Sequence, residues 1–250
     1  MSGMLTLQLR RETLRRGAGG YLRWQTMEAV EMWPSASTAL VLCDVWDRHW
    51  CRGASERLGA MLPRMNEVVA SARERGVLIV HAPSETMDFY RESLARQRTL
   101  DARRVDPPEE LPHEDPPLPL DASDGGCDTD RNTGEVNEPV WTSQHSAIEI
   151  DHTRDVISDD GRELYSVYRQ RGVQNVLIMG VHTNMCILNR SFAIKQMVRW
   201  GFRVALVREL TDVMYNPALA PYVSHDRGTE LTMKFIEKFW CPSISANDIL

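Results

Sequence analysis

Lysine is nearly missing from this chain: it occurs only at Lys195, Lys234 and Lys238, and arginine supplies every other strong base. Other absences exclude whole classes of protein. No stretch approaches the roughly 20 consecutive apolar residues of a membrane-spanning helix, so no membrane partner is expected. There is no excess of positive charge. A formal net charge of −6 argues against a nucleic-acid partner, whose phosphates favour a basic face. No CxxC pair occurs, and the five cysteines are scattered. That usage reads as reduced thiols and a cytoplasmic location. Met1 to Arg16 is basic but lacks the apolar core of a secretory leader, although a leader already removed would leave the same sequence. Gly17-Ala-Gly-Gly follows no buried strand, so it is no dinucleotide loop.

What is present is an alternation of buried strands and helices. Residues 1–37 form an extension without a long periodic pattern, with room for one hairpin. Residues 38–250 read as a single domain. Thr38 to Asp44 is a short apolar run ending in an acid, as suits a strand buried on both faces. Leu58, Met61, Leu62, Met65, Val68, Val69 and Ala72 follow at helical spacing, with Gly76 placed to stop that helix. Val77 to His81 is the next strand. Residues 82–138 interrupt the rhythm with Pro107, Pro108, Pro112, Pro116, Pro117 and Pro119 among acidic residues. This is a long loop with a short helix near Phe89 to Gln97, and it serves either as a site cover or as a solvated insertion.

Regular structure resumes at Val140 to Ser143. A helix from Gly161 to Arg171 follows, then a strand Val176 to Val181 and a helix Asn184 to Trp200. A strand Arg203 to Val207 and a last helix from about Gly228 to Phe239 complete the pattern. Strands alternating with helices in this way imply an α/β fold with a mostly parallel central sheet covered on both faces.

Open parallel sheets bind ligands beyond the carboxyl ends of their strands. That edge collects Asp44 with Trp46, Asp47, His49 and Trp50, then His81, the segment Trp141 to His145, and His182 to Cys186. Cys186 falls in the first turn of its expected helix, where unpaired amides and the helix dipole favour a thiolate. Asp44, at a neighbouring strand end, is placed to take its proton. Cys43, Cys51, Cys127 and Cys241 read instead as packed structural cysteines.

Leu-Val-Leu-Cys-Asp44, Ser146-Ala-Ile and Gly180-Val-His-Thr-Asn-Met-Cys186 resemble the isochorismatase-like cysteine hydrolases over roughly residues 38–240. The resemblance implies a three-layer α/β/α fold of Rossmann-like topology. It also implies a thioester intermediate on Cys186, Asp44 as general base, and a cis peptide at Val181–His182. The amides of His182 and Cys186 would form the oxyanion hole, and homo-oligomers are expected. The substrate would be a small-molecule amide, ureide or similar C–N compound. Vinyl-ether hydrolysis of the isochorismatase type, which does not need the cysteine, is the alternative within the family, and a catalytically silent binder is a third reading.

One departure stands out. The family carries a catalytic lysine shortly before the Ser-Ala pair, whereas this chain reads Trp141-Thr-Ser-Gln-His-Ser146 there. Lys195 lies roughly 13 Å along a helix from Cys186 and is no substitute. His145, then Gln144, are the expected replacements, because their strand end should lie beside Asp44. Asp47, His49 and His81 are candidate ligands of a zinc or iron ion of the nicotinamidase kind, with a metal-free cleft as the alternative. Trp46, Trp50 and Trp141 are candidates to hold a planar substrate, or else pack as core.

Overall fold

The computed structural model describes residues 3–132 and 138–250. Thr38–Cys43 (β3) is buried at every position, so it needs apolar layers on both faces. It lies in parallel between Leu78–Ala82 (β4) and Asn175–Val181 (β6). Arg203–Asp212 (β7) follows β6, and the two-residue strands Val156–Ile157 (β5) and Ser243–Ile244 (β8) extend the two sides. Before them comes a hairpin, Met4–Arg16 (β1) and Leu22–Pro34 (β2), paired along its whole length. The sheet order is β2-β1-β8-β7-β6-β3-β4-β5. The expected N-terminal extension therefore continues the same sheet, joined where Arg10 of β1 meets Ser243 of β8.

One face packs against Arg52–Glu74 (α1), whose Leu58, Leu62, Met65, Val68, Val69 and Ala72 form a single buried stripe. The other face is covered by Gly161–Arg171 (α3), Ile194–Arg199 (α5) and His225–Phe239 (α6), through Leu164, Tyr168, Met197, Phe235 and Ile236. This is the three-layer α/β/α arrangement expected from the pattern. α3 starts and stops where the sequence indicates. The Asp160 carboxylate accepts from the amides of Arg162 and Glu163, and Gly172 closes the helix at φ 69°.

The short helix expected near Phe89 to Gln97 is Leu94–Leu100 (α2). Two further expectations are corrected. Asn184 to Trp200 is not one helix: Cys186–Asn189 (α4) ends after one turn, and Arg190 turns extended (φ −60°, ψ 151°) before α5 begins. At the break, Ser191 accepts the Gly161 amide at 2.9 Å, and a Cβ on Gly161 would lie 1.8 Å from the Ser191 carbonyl oxygen. Close packing of α3 against this segment competes with continuation of the helix. Second, Val140 to Ser143 makes no strand and meets the body through a bridge between Trp46 and Gln144.

The cysteines also differ from expectation. Cys51 and Cys127 form a disulfide with Cα atoms 5.7 Å apart, while Cys43, Cys186 and Cys241 are free. The pair is 76 residues apart in sequence, which is why no local motif announced it. It fastens the end of the long loop to the start of α1. There Gly53 donates to Thr129 Oγ1 at 2.8 Å and Arg57 grips the Asp128 carboxylate through two bonds of 3.0 Å. This part of the loop packs beside the carboxyl end of β7, where Arg57 also holds Asp212 at 2.8 Å; residues 133–137 of the expected 82–138 loop lie outside the described residues. Closing so long a loop restricts the unfolded chain by about 4 kcal/mol in the chain-entropy account. Reduction should therefore lower the melting temperature by several degrees in calorimetry, and an unchanged Tm would mean the bridge carries no stability. No helix among the described residues is long and apolar enough to cross a membrane.

Candidate active site

Asp44 lies one residue beyond β3, at φ 51°, a left-handed turn that Asp tolerates better than most residues. The neighbouring strand ends fix its side chain. Ser84, just past β4, donates its amide to Asp44 Oδ1 at 2.8 Å, and Arg190 Nε donates to Oδ2 at 2.9 Å. On the other flank, Gly180 of β6 stands opposite Cys43 at φ 120°. A Cβ there would come within 2.0 Å of the Cys43 carbonyl oxygen, so only glycine lets the two strand ends close.

Beyond Gly180 the chain turns through a cis peptide at Val181–His182, as the resemblance implied, and enters α4 at Cys186. The half-buried Cys186 thiol lies beside the Asp44 carboxylate and the His182 backbone, close enough for both to shift its pKa. Arg190, four residues on, completes the group: its guanidinium ties Asp44 and lies 3.5 Å from Glu85 through Nη1.

The electrostatics suit a protonated thiol facing an ionisable base. Burial, then the charge of Asp44, push the Cys186 thiol well above its ordinary value, while Arg190 and the His182 amide pull the other way. Burial likewise raises the Asp44 carboxyl, offset in part by Arg190, the thiol and Ser84. The expected helix-terminal thiolate is thus corrected. α4 has only four residues, too short for a sizeable dipole, and desolvation dominates. Burial thus favours the protonated thiol, while Arg190 favours the charged form of Asp44 beside it.

The sequence profile of the isochorismatase domain matches residues 38–215. The chain belongs to the isochorismatase family. It is a hydrolase of that family. Among solved structures, a cysteine hydrolase from Pseudomonas syringae pv. phaseolicola 1448A is similar at 14% identity and TM-score 0.54, covering 86% of this chain and 91% of that one. An isochorismatase-like hydrolase from Alkaliphilus metalliredigens is 13% identical, with TM-score 0.48 and coverages of 85% and 94%. At such identities the first shows a shared fold and nothing finer. No curated protein sequence matches the chain.

Within this isochorismatase-family hydrolase, the group beside Asp44 is Arg190, not His145 or Gln144. The His145 ring accepts from the Ala147 amide at 3.1 Å. Gln144 is buried and bonds through Oε1 to His81 Nδ1 at 2.9 Å. Where the family lysine would fall, Thr142 instead clasps Asp47, through its amide at 2.9 Å and its hydroxyl at 2.8 Å. A signal for Arg190 was present: a base four residues after Cys186 shares its helix face.

The candidate metal ligands do not fit a metal. The Asp47 carboxylate is held by Thr142 and Arg48. His49 Nδ1 accepts from the Cys51 amide, and burial pushes its pKa down to about 4. His81 is fully buried between Gln144 and Asp155, the latter paired with Arg73. Among the described residues no group of three or more His, Cys, Asp or Glu side chains is arranged to hold a metal ion.

The tryptophans divide. Trp50 is packed with Ala54 and Met214. Trp46 and Trp141 stack on one another, with centroids 3.9 Å apart, so they do not sandwich a substrate between them. Trp46 also lines a pocket with His49, Ser55, His145, Val181 and His182. Because Nδ1 of both His49 and His145 accepts a backbone amide, their protons sit on Nε2. Burial, reinforced by His49, holds the His182 ring neutral with its pKa near about 3, and its Nε2 has no partner. The pocket wall therefore offers imidazole nitrogens to a ligand.

Proposed function

We propose that this hydrolase cleaves a small-molecule amide, ureide or similar C–N bond through a thioester on Cys186. The observation that carries the reading is the cluster at one sheet edge in which Arg190 bonds Asp44 while Asp44 and the Cys186 thiol are close enough for each to shift the other's pKa. Asp44 removes the thiol proton as sulfur attacks the acyl carbon, so charge separation is confined to the moment of reaction. The carbonyl oxygen becomes an oxyanion, held by the amides of His182 and Cys186. Asp44 passes its proton to the leaving nitrogen, and the C–N bond breaks to give an amine and the thioester. Water then attacks the thioester carbon and gives its proton to Asp44. The acid departs, and Asp44 returns the proton to sulfur.

Arg190 stands where the family has lysine in function, though not in sequence. Its charge favours the ionised form of Asp44 against the burial that favours the neutral one. The imidazole-lined pocket beside His182 suits an acyl group bearing polar atoms. Incubation with a panel of small amides, rapid acid quench and peptide mass spectrometry tests the proposal. The expected result is an added acyl mass on the peptide containing Cys186, absent from Cys186→Ala together with turnover. Turnover that survives Cys186→Ala would overturn the thioester route and favour vinyl-ether hydrolysis.

A further inference from the structure

β2 is the outermost strand of the sheet and has β1 as its neighbour on one side only. Natural edge strands are blunted by shortness, lysine, proline or a bulge. This one is 13 residues long, has Arg23, Glu28 and Glu31 as its only charges and no lysine, carries proline only at its last position, Pro34, and pairs without a register shift. Its outer row of backbone groups is consequently open. The Gly17 amide bonds the Tyr21 carbonyl at 2.9 Å, which sets the alternation down the hairpin. Odd-numbered residues of β2 turn their N–H and C=O toward β1. Leu22, Trp24, Thr26, Glu28, Val30 and Met32 turn theirs outward.

Exposed apolar side chains flank Thr26 and Glu28 on the same edge. Leu22 is 57% exposed, Trp24 41%, Val30 68% and Met32 59%, all on one face of the hairpin, with Met27 39% exposed on the other. The arm is held in place: Trp24 packs edge-on against Phe239 of α6 at 5.7 Å, with the Lys238 ammonium over its ring.

We infer that β2 pairs antiparallel with β2 of a second copy of this chain, about a two-fold axis through Met27, joining two sheets into one. The strand is self-complementary in that register. Leu22 meets Met32 of the second copy and Trp24 meets Val30, so all four exposed apolar side chains on that face find apolar partners. On the other face Arg23 meets Glu31, and Met27 meets itself. Glu31 holds Arg203 and Trp33 Nε1 through Oε2, so its other oxygen is the one left for the arginine. Shifting the axis to Glu28 sets two glutamates against each other and Arg23 against Trp33. Shifting it to Thr26 sets Arg23 against Ala29 and Trp24 against Glu28. Only the Met27 axis joins opposite charges and apolar pairs together. The surface lies on the far side of β1, β8 and β7 from β6 and Cys186, so it stands independently of the catalytic proposal.

Sedimentation velocity of the full chain tests this, with Val30→Lys and two cysteine variants. The native protein is expected to sediment at twice its 28.5 kDa chain mass at micromolar concentration, and Val30→Lys as a folded monomer. Met27→Cys should cross-link to its own copy on mild oxidation, because directly opposed Cα atoms fall within disulfide reach. Ala29→Cys, which faces Gln25, should not. A native monomer, a dimer that survives Val30→Lys, or cross-linking of Ala29→Cys as fast as Met27→Cys would each overturn the inference.

Discussion

Arg190→Gln should lower kcat by roughly a hundredfold or more, the scale of losing one strong preorganised donor at a reacting centre. The loss should come with a displaced pH profile. In the native site, burial raises the Asp44 carboxyl and the Arg190 charge pulls it back. Glutamine keeps a donor but not the charge, so the Asp44 pKa rises further. Protonated Asp44 takes no proton from Cys186, and activity grows with pH as the carboxyl ionises. The acid limb must therefore move to higher pH in Arg190→Gln. Arg190→Lys should restore much of kcat and return the limb toward its native position, since the charge is regained without the planar fork. Removing one partner of a buried pair costs about 3–5 kcal/mol in the strong cases, so melting temperature must be followed in parallel. A purely structural arginine would lower Tm and leave the acid limb in place. That outcome would remove Arg190 from the mechanism.

Asp44→Asn is expected to reduce turnover by about 10³-fold, within the range for losing a general base. Its second consequence has the opposite sign. Burial and the Asp44 charge both hold the Cys186 thiol protonated, while Arg190 favours the thiolate. With asparagine the negative charge disappears and the arginine remains, so the thiol pKa falls. Iodoacetamide should then label Cys186 faster at neutral pH in the variant that has lost activity, as read by mass spectrometry against time. Asparagine still accepts the Ser84 amide, so the turn after β3 is preserved. If Cys186 labels no faster while turnover is lost, Asp44 is not the charge that governs the thiol.

Much of this arrangement was legible from local pattern. Fully apolar runs such as Ala39 to Cys43 and Val176 to Val181 permit little except strands buried on both faces, and the helices between them force parallel pairing. Asp44 and Cys186 then fall at the carboxyl edge by position alone. The boundaries of α3 were legible because Asp160 and Gly172 satisfy backbone groups within a few residues.

Tertiary structure decided the rest, because the energies involved belong to contacts between segments distant in the chain. Helical pattern continues from Asn184 to Trp200, yet α3 packs too closely at Gly161 and Ser191 for it to persist, and the break sends Arg190 back to Asp44. His145 sits on the expected edge, but its ring is spent on a local turn with Ala147. Cys51 and Cys127 meet only because the long loop returns to the start of α1. By itself the sequence determined the layers and placed Asp44 and Cys186 at one edge of the sheet. Which base stands beside Asp44, which cysteines pair and which strand is left open were decided by packing, whose close contacts no local spacing encodes.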